Sequence, residues 1–217
     1  MSGVLAGHRV VVSAGPTCED IDPVRFIGNR SSGRMGFAIA DAAARAGADV
    51  VLVAGPVHLE TPAGVRRVDI RSAAQLRDAV IGTLPADVYV GAAAVADWTP
   101  AEVAGHKLKK RAGVDTMTLA LVRTPDVLAE VAAHPQRPRL VVGFAAETED
   151  VVANARVKLA AKGVDLVAAN RVGVPGSGFE SETNTLTVVG DGCERQLGPA
   201  TKTALAATLV QLIAGRL

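Results

Sequence analysis

Aromatic residues are nearly missing from this chain: phenylalanine, tyrosine and tryptophan together make up 3% of its 217 residues. A surface that stacks the bases of single-stranded nucleic acid needs several such rings. That function class is disfavoured, and alanine, valine and leucine must build the core. Cysteine is scarce as well. Cys18 and Cys193 are too few for a disulfide scaffold or a four-cysteine zinc site. The four histidines, His8, His58, His106 and His134, show no metal-ligand spacing. No apolar run reaches membrane-spanning length, and the start, Met-Ser-Gly-Val-Leu-Ala-Gly-His, lacks the charged beginning and long apolar run of a signal peptide. With 23 Lys and Arg against 22 Asp and Glu, the net charge of +1 offers no global field to a polyanion. Any anion must be held by local charges. The expectation is a cytoplasmic protein that binds a small ligand and neither nucleic acid nor a membrane.

What is present is an alternation of short apolar runs and helical patterns. His8–Ala14, Asp49–Ala54, Asp87–Ala93, Arg139–Ala145 and Val164–Ala169 are β-branched runs that end in turn residues, as buried parallel strands do. Val65–Ile70 is a further strand. Between them, Gly33–Ala46, Ser72–Leu84 and Glu147–Lys162 have helical spacing, and Thr124-Pro125-Asp126 opens another helix with proline in its first turn. Ser31 or Ser32 is expected to cap the first helix and Gly47 to end it. The Asp97–Arg111 segment breaks the pattern with Gly, Pro and a basic run. Thr116–Val122 alternates like a half-exposed strand, so this region reads as a hairpin or flap. Gly173–Glu182 is a loop, Thr185–Val189 and Cys193–Leu197 a hairpin, and Thr201–Ala214 a closing helix. The prediction is a single α/β domain over 1–217. Its sheet is doubly wound, mostly parallel and Rossmann-like, with a flexible flap at about 97–115 and a C-terminal hairpin plus helix.

The densest chemistry lies in Asp22–Phe37, DPVRFIGNRSSGRMGF, with three arginines, one amide, two hydroxyls and three glycines. Arginine presents forked donors to phosphate or carboxylate, and a starting helix favours negative charge. The plain alternative is a long polar turn before a capped helix. In an open α/β sheet, ligands bind beyond the carboxyl ends of the strands, and those ends here run into Gly15-Pro-Thr, Asp97, Glu147 and Asn170. A dinucleotide fingerprint is absent: the first strand ends in Ser13-Ala-Gly-Pro-Thr17, and the second in Val53-Ala-Gly-Pro56 without an acid for a ribose. A Walker A loop is absent too. Lys107, Lys109 and Lys110 form either a solvated charge run or the cation of a flap that closes over a polyphosphate. Asp97 is open to three roles: a turn cap, a ribose contact or a Mg²⁺ ligand. Lys158 and Lys162, at i and i+4, share a helix face, where solvated charge is the plain reading.

Four stretches in order carry a resemblance: Asp22–Phe37, Ala92-Ala-Ala-Val-Ala-Asp-Trp98, Lys107-Leu-Lys-Lys110 and Val142-Gly-Phe-Ala-Ala-Glu-Thr148. Together they resemble bacterial phosphopantothenoylcysteine synthetase, over nearly the whole chain. The resemblance implies a homodimeric ligase of coenzyme A biosynthesis that uses CTP, Mg²⁺, 4′-phosphopantothenate and cysteine. In such bacteria the domain is usually fused to a flavin-dependent decarboxylase, so this chain is expected to be an isolated second half with an artificial Met1. By the same resemblance Lys107 is the catalytic lysine of acyl-cytidylate formation, and Asn29 and Arg25 handle that intermediate. Contacts to CTP fall on Gly91, Ala92, Ala93, Asp97, Lys107, Pro125, Asp126, Val127, Leu128, Phe144, Lys158 and Lys162. Ser31, Ser32 and Gly33 are added as anion donors and Asp97 as the metal ligand. The competing expectations are a nicotinamide-nucleotide reductase on a related fold and a non-catalytic interaction domain. The missing ribose acid counts against the first, and the converging polar strand ends count against the second.

Overall fold

The computed structural model describes residues 3–110, 112–113, 115–173 and 183–217. Its first strand, β1 (Arg9–Ala14), shows why the sheet is buried on both sides. Side chains alternate across a strand: Val10, Val12 and Ala14 enter one apolar cluster, while Val11 enters another on the opposite face. Each of the parallel strands β4 (Asp49–Ala54), β6 (Val88–Gly91), β9 (Leu140–Glu147) and β10 (Leu166–Arg171) divides its residues in the same way.

With β5 (Val65–Asp69), β11 (Thr183–Gly190) and β12 (Cys193–Thr201), these strands form one eight-stranded sheet. Its order is β12-β11-β10-β9-β6-β1-β4-β5. Pairing is parallel from β5 through β10, and β11 and β12 add antiparallel at one end. Helices α1 (Arg34–Arg45) and α5 (Lys202–Ala214) cover one face. Helices α2 (Ala73–Ile81), α3 (Val127–Ala132) and α4 (Val151–Lys162) cover the other. Two small antiparallel ribbons stand off the sheet: β2 (Cys18–Asp20) with β3 (Phe26–Gly28), and β7 (Trp98–Pro100) with β8 (Leu121–Arg123). No helix among the described residues is long and apolar enough to cross a membrane.

Several expectations change. The arginine-rich stretch begins inside a hairpin, β2–β3, rather than in a plain loop. Neither Ser31 nor Ser32 caps α1: the N-cap is Gly33, at φ 74°, without a side-chain cap, and Ser31 Oγ instead accepts from the Gly33 N–H at 3.3 Å. A left-handed glycine turns the chain into the helix where an L-residue would be strained. Proline 125 precedes the helix rather than joining its first turn, because Asp126 is the cap and accepts from Ala129 N–H at 3.1 Å. Glu147 ends β9, paired with Arg171, so α4 starts four residues later than its pattern suggests. In the Thr116–Val122 stretch only Leu121 and Val122 are strand, with Arg123 beyond it. Most of the expected loop at Gly173–Glu182 lies outside the described residues.

Close packing of α1 on β1 depends on Gly36. A Cβ there would stand 2.4 Å from the Ala14 Cβ and 3.1 Å from its Cα. Gly36→Ala should therefore lift α1 from the sheet and cost about 1–3 kcal/mol, the usual range for overpacking. A lower urea midpoint is the expected reading; an unchanged one would mean that the helix moves freely.

Candidate active site

Connections from β1 lead first to β4 and β5 on one side, then return to β6, β9 and β10 on the other. Strand order reverses between β1 and β6, and at such a reversal the loops leave in opposite directions and open a crevice. The crevice here is a cleft of about 760 Å³ at the carboxyl ends of the central strands. Buried in its floor, Ser13 of β1 and Tyr89 of β6 join their hydroxyls at 3.1 Å. Burial pushes the Tyr89 phenol up to about 12, so it stays protonated at neutral pH.

The loop after β6 is fixed from both sides. Thr17 Oγ1 accepts from Ala96 N–H at 2.9 Å, and Thr124 Oγ1 donates to Ala96 O at 2.6 Å. Asn29 donates its amide N–H groups to Ala94 O at 3.2 Å and Val95 O at 3.0 Å. It thereby ties the stretch after β3 to the outlet of β6. Trp98 follows on the cleft rim, with the Arg123 guanidinium stacked 5.8 Å from its ring centre.

On the opposite wall, Lys158 of α4 donates to the carbonyl of Phe144 at 2.6 Å. Burial, then the neighbouring Lys162 charge, pull the Lys158 ammonium below its ordinary range, while Glu147, Asp126 and Asp97 act in the other direction. Lys162 itself pairs with Asp126. Among the described residues no group of three or more His, Cys, Asp or Glu is arranged to hold a metal ion. Asp97 and Asp126 are the carboxylates among the described residues that line the cleft.

Most of the residues expected from sequence meet in this cleft. Asn29, Ser31, Ser32 and Gly33 come from the β3–α1 link, and Gly91, Ala92, Ala93 and Asp97 from the end of β6. Pro125 and the cap Asp126 lead into Val127 and Leu128 of α3, and Phe144, Lys158 and Lys162 complete the wall. Arg25 and Lys107 are not part of it. Arg25 turns to Asp22, with Nη2 2.5 Å and Nε 3.1 Å from Asp22 Oδ2, and its Nη2 also donates to Leu108 O at 2.8 Å. Lys107 is exposed on the segment beside Leu108. Asp22 is the hub of this second cluster: its buried carboxylate also accepts from the N–H groups of Val24, Arg25 and Leu108 at 2.8–3.0 Å.

Sequence reasoning missed Ser13, Tyr89, Asn184 and Lys202, all of which line the cleft, and counted Arg34 only as one of the three arginines of its stretch. The first two sit in strand runs that read as core. Alternation would have turned Ser13 to the face opposite Val12, which was the available signal.

Residues 5–217 match the family described as "DNA/pantothenate metabolism flavoprotein C-terminal domain". The chain belongs to that family. A relative from Vibrio cholerae, "Coenzyme A biosynthesis bifunctional protein CoaBC", is 47% identical over 211 residues, covering 97% of this chain and 53% of the relative. The protein of that name from Mycobacterium bovis is 50% identical over 222 residues, covering 96% and 52%. The chain thus spans about half the length of the curated relatives it matches. Among solved structures, the C-terminal domain of Coenzyme A biosynthesis bifunctional protein CoaBC superposes with a TM-score of 0.83 at 37% identity. The match covers 99% of this chain and 97% of that one. Family membership therefore extends across the whole sheet and the cleft.

Proposed function

We propose that this chain joins cysteine to 4′-phosphopantothenate in coenzyme A biosynthesis. The reading is carried by one observation: a cation-lined cleft at the strand-order reversal of a domain that matches the CoaBC C-terminal domain over nearly its full length. In the first half-reaction a carboxylate oxygen of the acid attacks the α-phosphorus of CTP, and the bond to pyrophosphate breaks. In the second, the cysteine amine attacks the acyl carbon, the bond to CMP breaks, and the amine gives up a proton as the amide forms. Splitting the step through a mixed anhydride makes a poor acyl donor reactive.

Each wall has a part in this scheme. Gly91, Ala92, Ala93, Phe144 and the Pro125–Leu128 turn form the nucleotide seat, with Lys158 and Lys162 as its cations. Lys107 neutralises charge that builds on the polyphosphate. Arg25 and Asn29 act on the acyl-cytidylate, with Ser31, Ser32 and Gly33 as anion donors. Bound Mg²⁺ would neutralise polyphosphate charge, with Asp97 as the carboxylate that holds it. The protein acts in the cytoplasm as a homodimer, and in its natural setting it is joined to a flavin-dependent decarboxylase half, as the word "bifunctional" in its relatives' names suggests.

The test is direct. With CTP and Mg²⁺, pyrophosphate should be released only when 4′-phosphopantothenate is present, and CMP only when cysteine is added. No release with either CTP or ATP overturns the reading. The nicotinamide reductase is disfavoured by the family match and by the end of β4 at Ala54-Gly55, where no acid stands to hold a ribose.

A further inference from the structure

One buried polar pair has no part in that scheme. Ser13 is 1% exposed and Tyr89 2%, and their hydroxyls meet in the cleft floor. The parallel register sets Val11 opposite Tyr89 and Ser13 opposite Gly91, so both side chains leave the same face of the sheet. The Tyr89 ring lies against Gly91. A Cβ there would already touch its Cε1 at 3.4 Å and its oxygen at 3.5 Å, so a longer side chain would meet the ring. The bare glycine gives the phenol its path to Ser13.

What the pair holds is backbone. The Ser13 carbonyl accepts from Ala92 N–H at 3.0 Å, and its Oγ accepts from Ala93 N–H at 3.4 Å. Register pairing of β6 reaches Ser13–Gly91 on one side and Gly91–Gly143 on the other. Ala93 N–H therefore leaves the ladder and rests on a side chain, through a long bond. The next amide returns to main chain, where Ala94 N–H donates to Gly15 O at 2.9 Å. A serine hydroxyl turns about its Cβ unless a second partner fixes it. Tyr89 is that partner, on a ring packed into the core.

We propose that Ser13 and Tyr89 are positioning residues for the Ala92–Ala93 turn, with Tyr89 acting through the Ser13 hydroxyl. The turn so fixed is the backbone against which the nucleotide rests. That last step rests on the ligase reading; the hold on the turn does not.

Amide exchange at Ala93, referred to Val12 in the same protein, is measured without ligand in the wild type, Ser13→Ala, Tyr89→Phe and the double variant. Each substitution removes one oxygen and adds no bulk. Ser13→Ala should speed Ala93 exchange about threefold to tenfold, the scale of one hydrogen bond. Tyr89→Phe should do so by less. Within Ser13→Ala, Tyr89→Phe should add nothing, because the hydroxyl it acts through has gone. An Ala93 rate within about twofold of wild type in Ser13→Ala overturns the proposal, and so does full additivity in the double variant. Steady-state kinetics then read the seat. Ser13→Ala should raise the KM for CTP about threefold to tenfold, and leave kcat and the KM for 4′-phosphopantothenate within about twofold. A loss of folded protein alone would lower the apparent kcat and leave KM as it was. Unchanged KM for CTP overturns the link to the nucleotide. A wild type without turnover defeats the ligase reading and leaves the exchange result standing.

Discussion

Lys107→Gln should lower pyrophosphate release by about a hundredfold or more, the scale seen when one donor to developing transition-state charge is removed. Lys107 is exposed, so thermal stability should stay within a degree or so of wild type, as for other surface substitutions. Supplying the variant with preformed acyl-cytidylate and cysteine should restore CMP release, because the proposed role of the lysine is confined to the first half-reaction. Normal pyrophosphate release would remove Lys107 from its role. The side chain is not on the cleft wall of its own chain. Either its segment swings inward, or it serves the cleft of a second copy. Mixing Lys107→Gln with a cleft-defective Lys158→Met protein separates these cases: activity regained on mixing means action across a dimer, and none regained means action within one chain.

Asp22→Ala should act on the same segment from a distance. Three hydrogen bonds latch residues 104–108 to the β2–β3 hairpin: Ala104 N–H to Ile21 O at 3.0 Å, Leu108 N–H to Asp22 at 3.0 Å, and Arg25 to Leu108 O at 2.8 Å. Removing the carboxylate deletes the second and leaves Arg25, which makes the third, without its anchor. Amide exchange at Leu108 should accelerate about tenfold or more, as expected for a segment moved toward local opening. The maximal rate of pyrophosphate release should fall with little change in the KM for CTP. Asp22→Asn keeps one acceptor oxygen and should recover part of the loss; equal exchange in all three proteins would show that Asp22 does not position the segment. Arg25, opposed by burial and aided by the backbone donors, holds the Asp22 carboxyl well below the usual carboxylate range. A folded value below the unfolded one gives stability that is fully present above about pH 4 and is lost as pH falls toward the folded value. Leu108 protection should therefore hold at neutral pH and weaken only in acid, and Asp22→Asn should abolish that acid dependence.

The sheet was legible because its strands are buried on both faces. Runs such as Val10-Val-Val12 and Val50-Val-Leu-Val53 need no partner to be recognised. The cleft was partly legible for a related reason, since Asp97 and the Gly91–Ala93 turn follow directly from a strand end. The β2–β3 hairpin was not. Its strands have three residues each, one of them Cys-Glu-Asp, and neither β propensity nor alternation shows at that length. Lys202 gave no signal either. A basic residue at a helix start looks like ordinary surface charge until the sheet brings it to the cleft.

The near absence of rings has an experimental use. The chain has one tyrosine and one tryptophan, Tyr89 and Trp98, and both line the cleft, at its floor and its rim. Intrinsic emission excited at the red edge comes from Trp98 alone, with Arg123 stacked on its ring. Near-ultraviolet difference spectra add the hydroxyl pair of Ser13 and Tyr89. An unlabelled sample thus carries two optical reporters at different depths of one crevice. Their response times, followed by stopped flow, give the order in which ligands reach the rim and the floor.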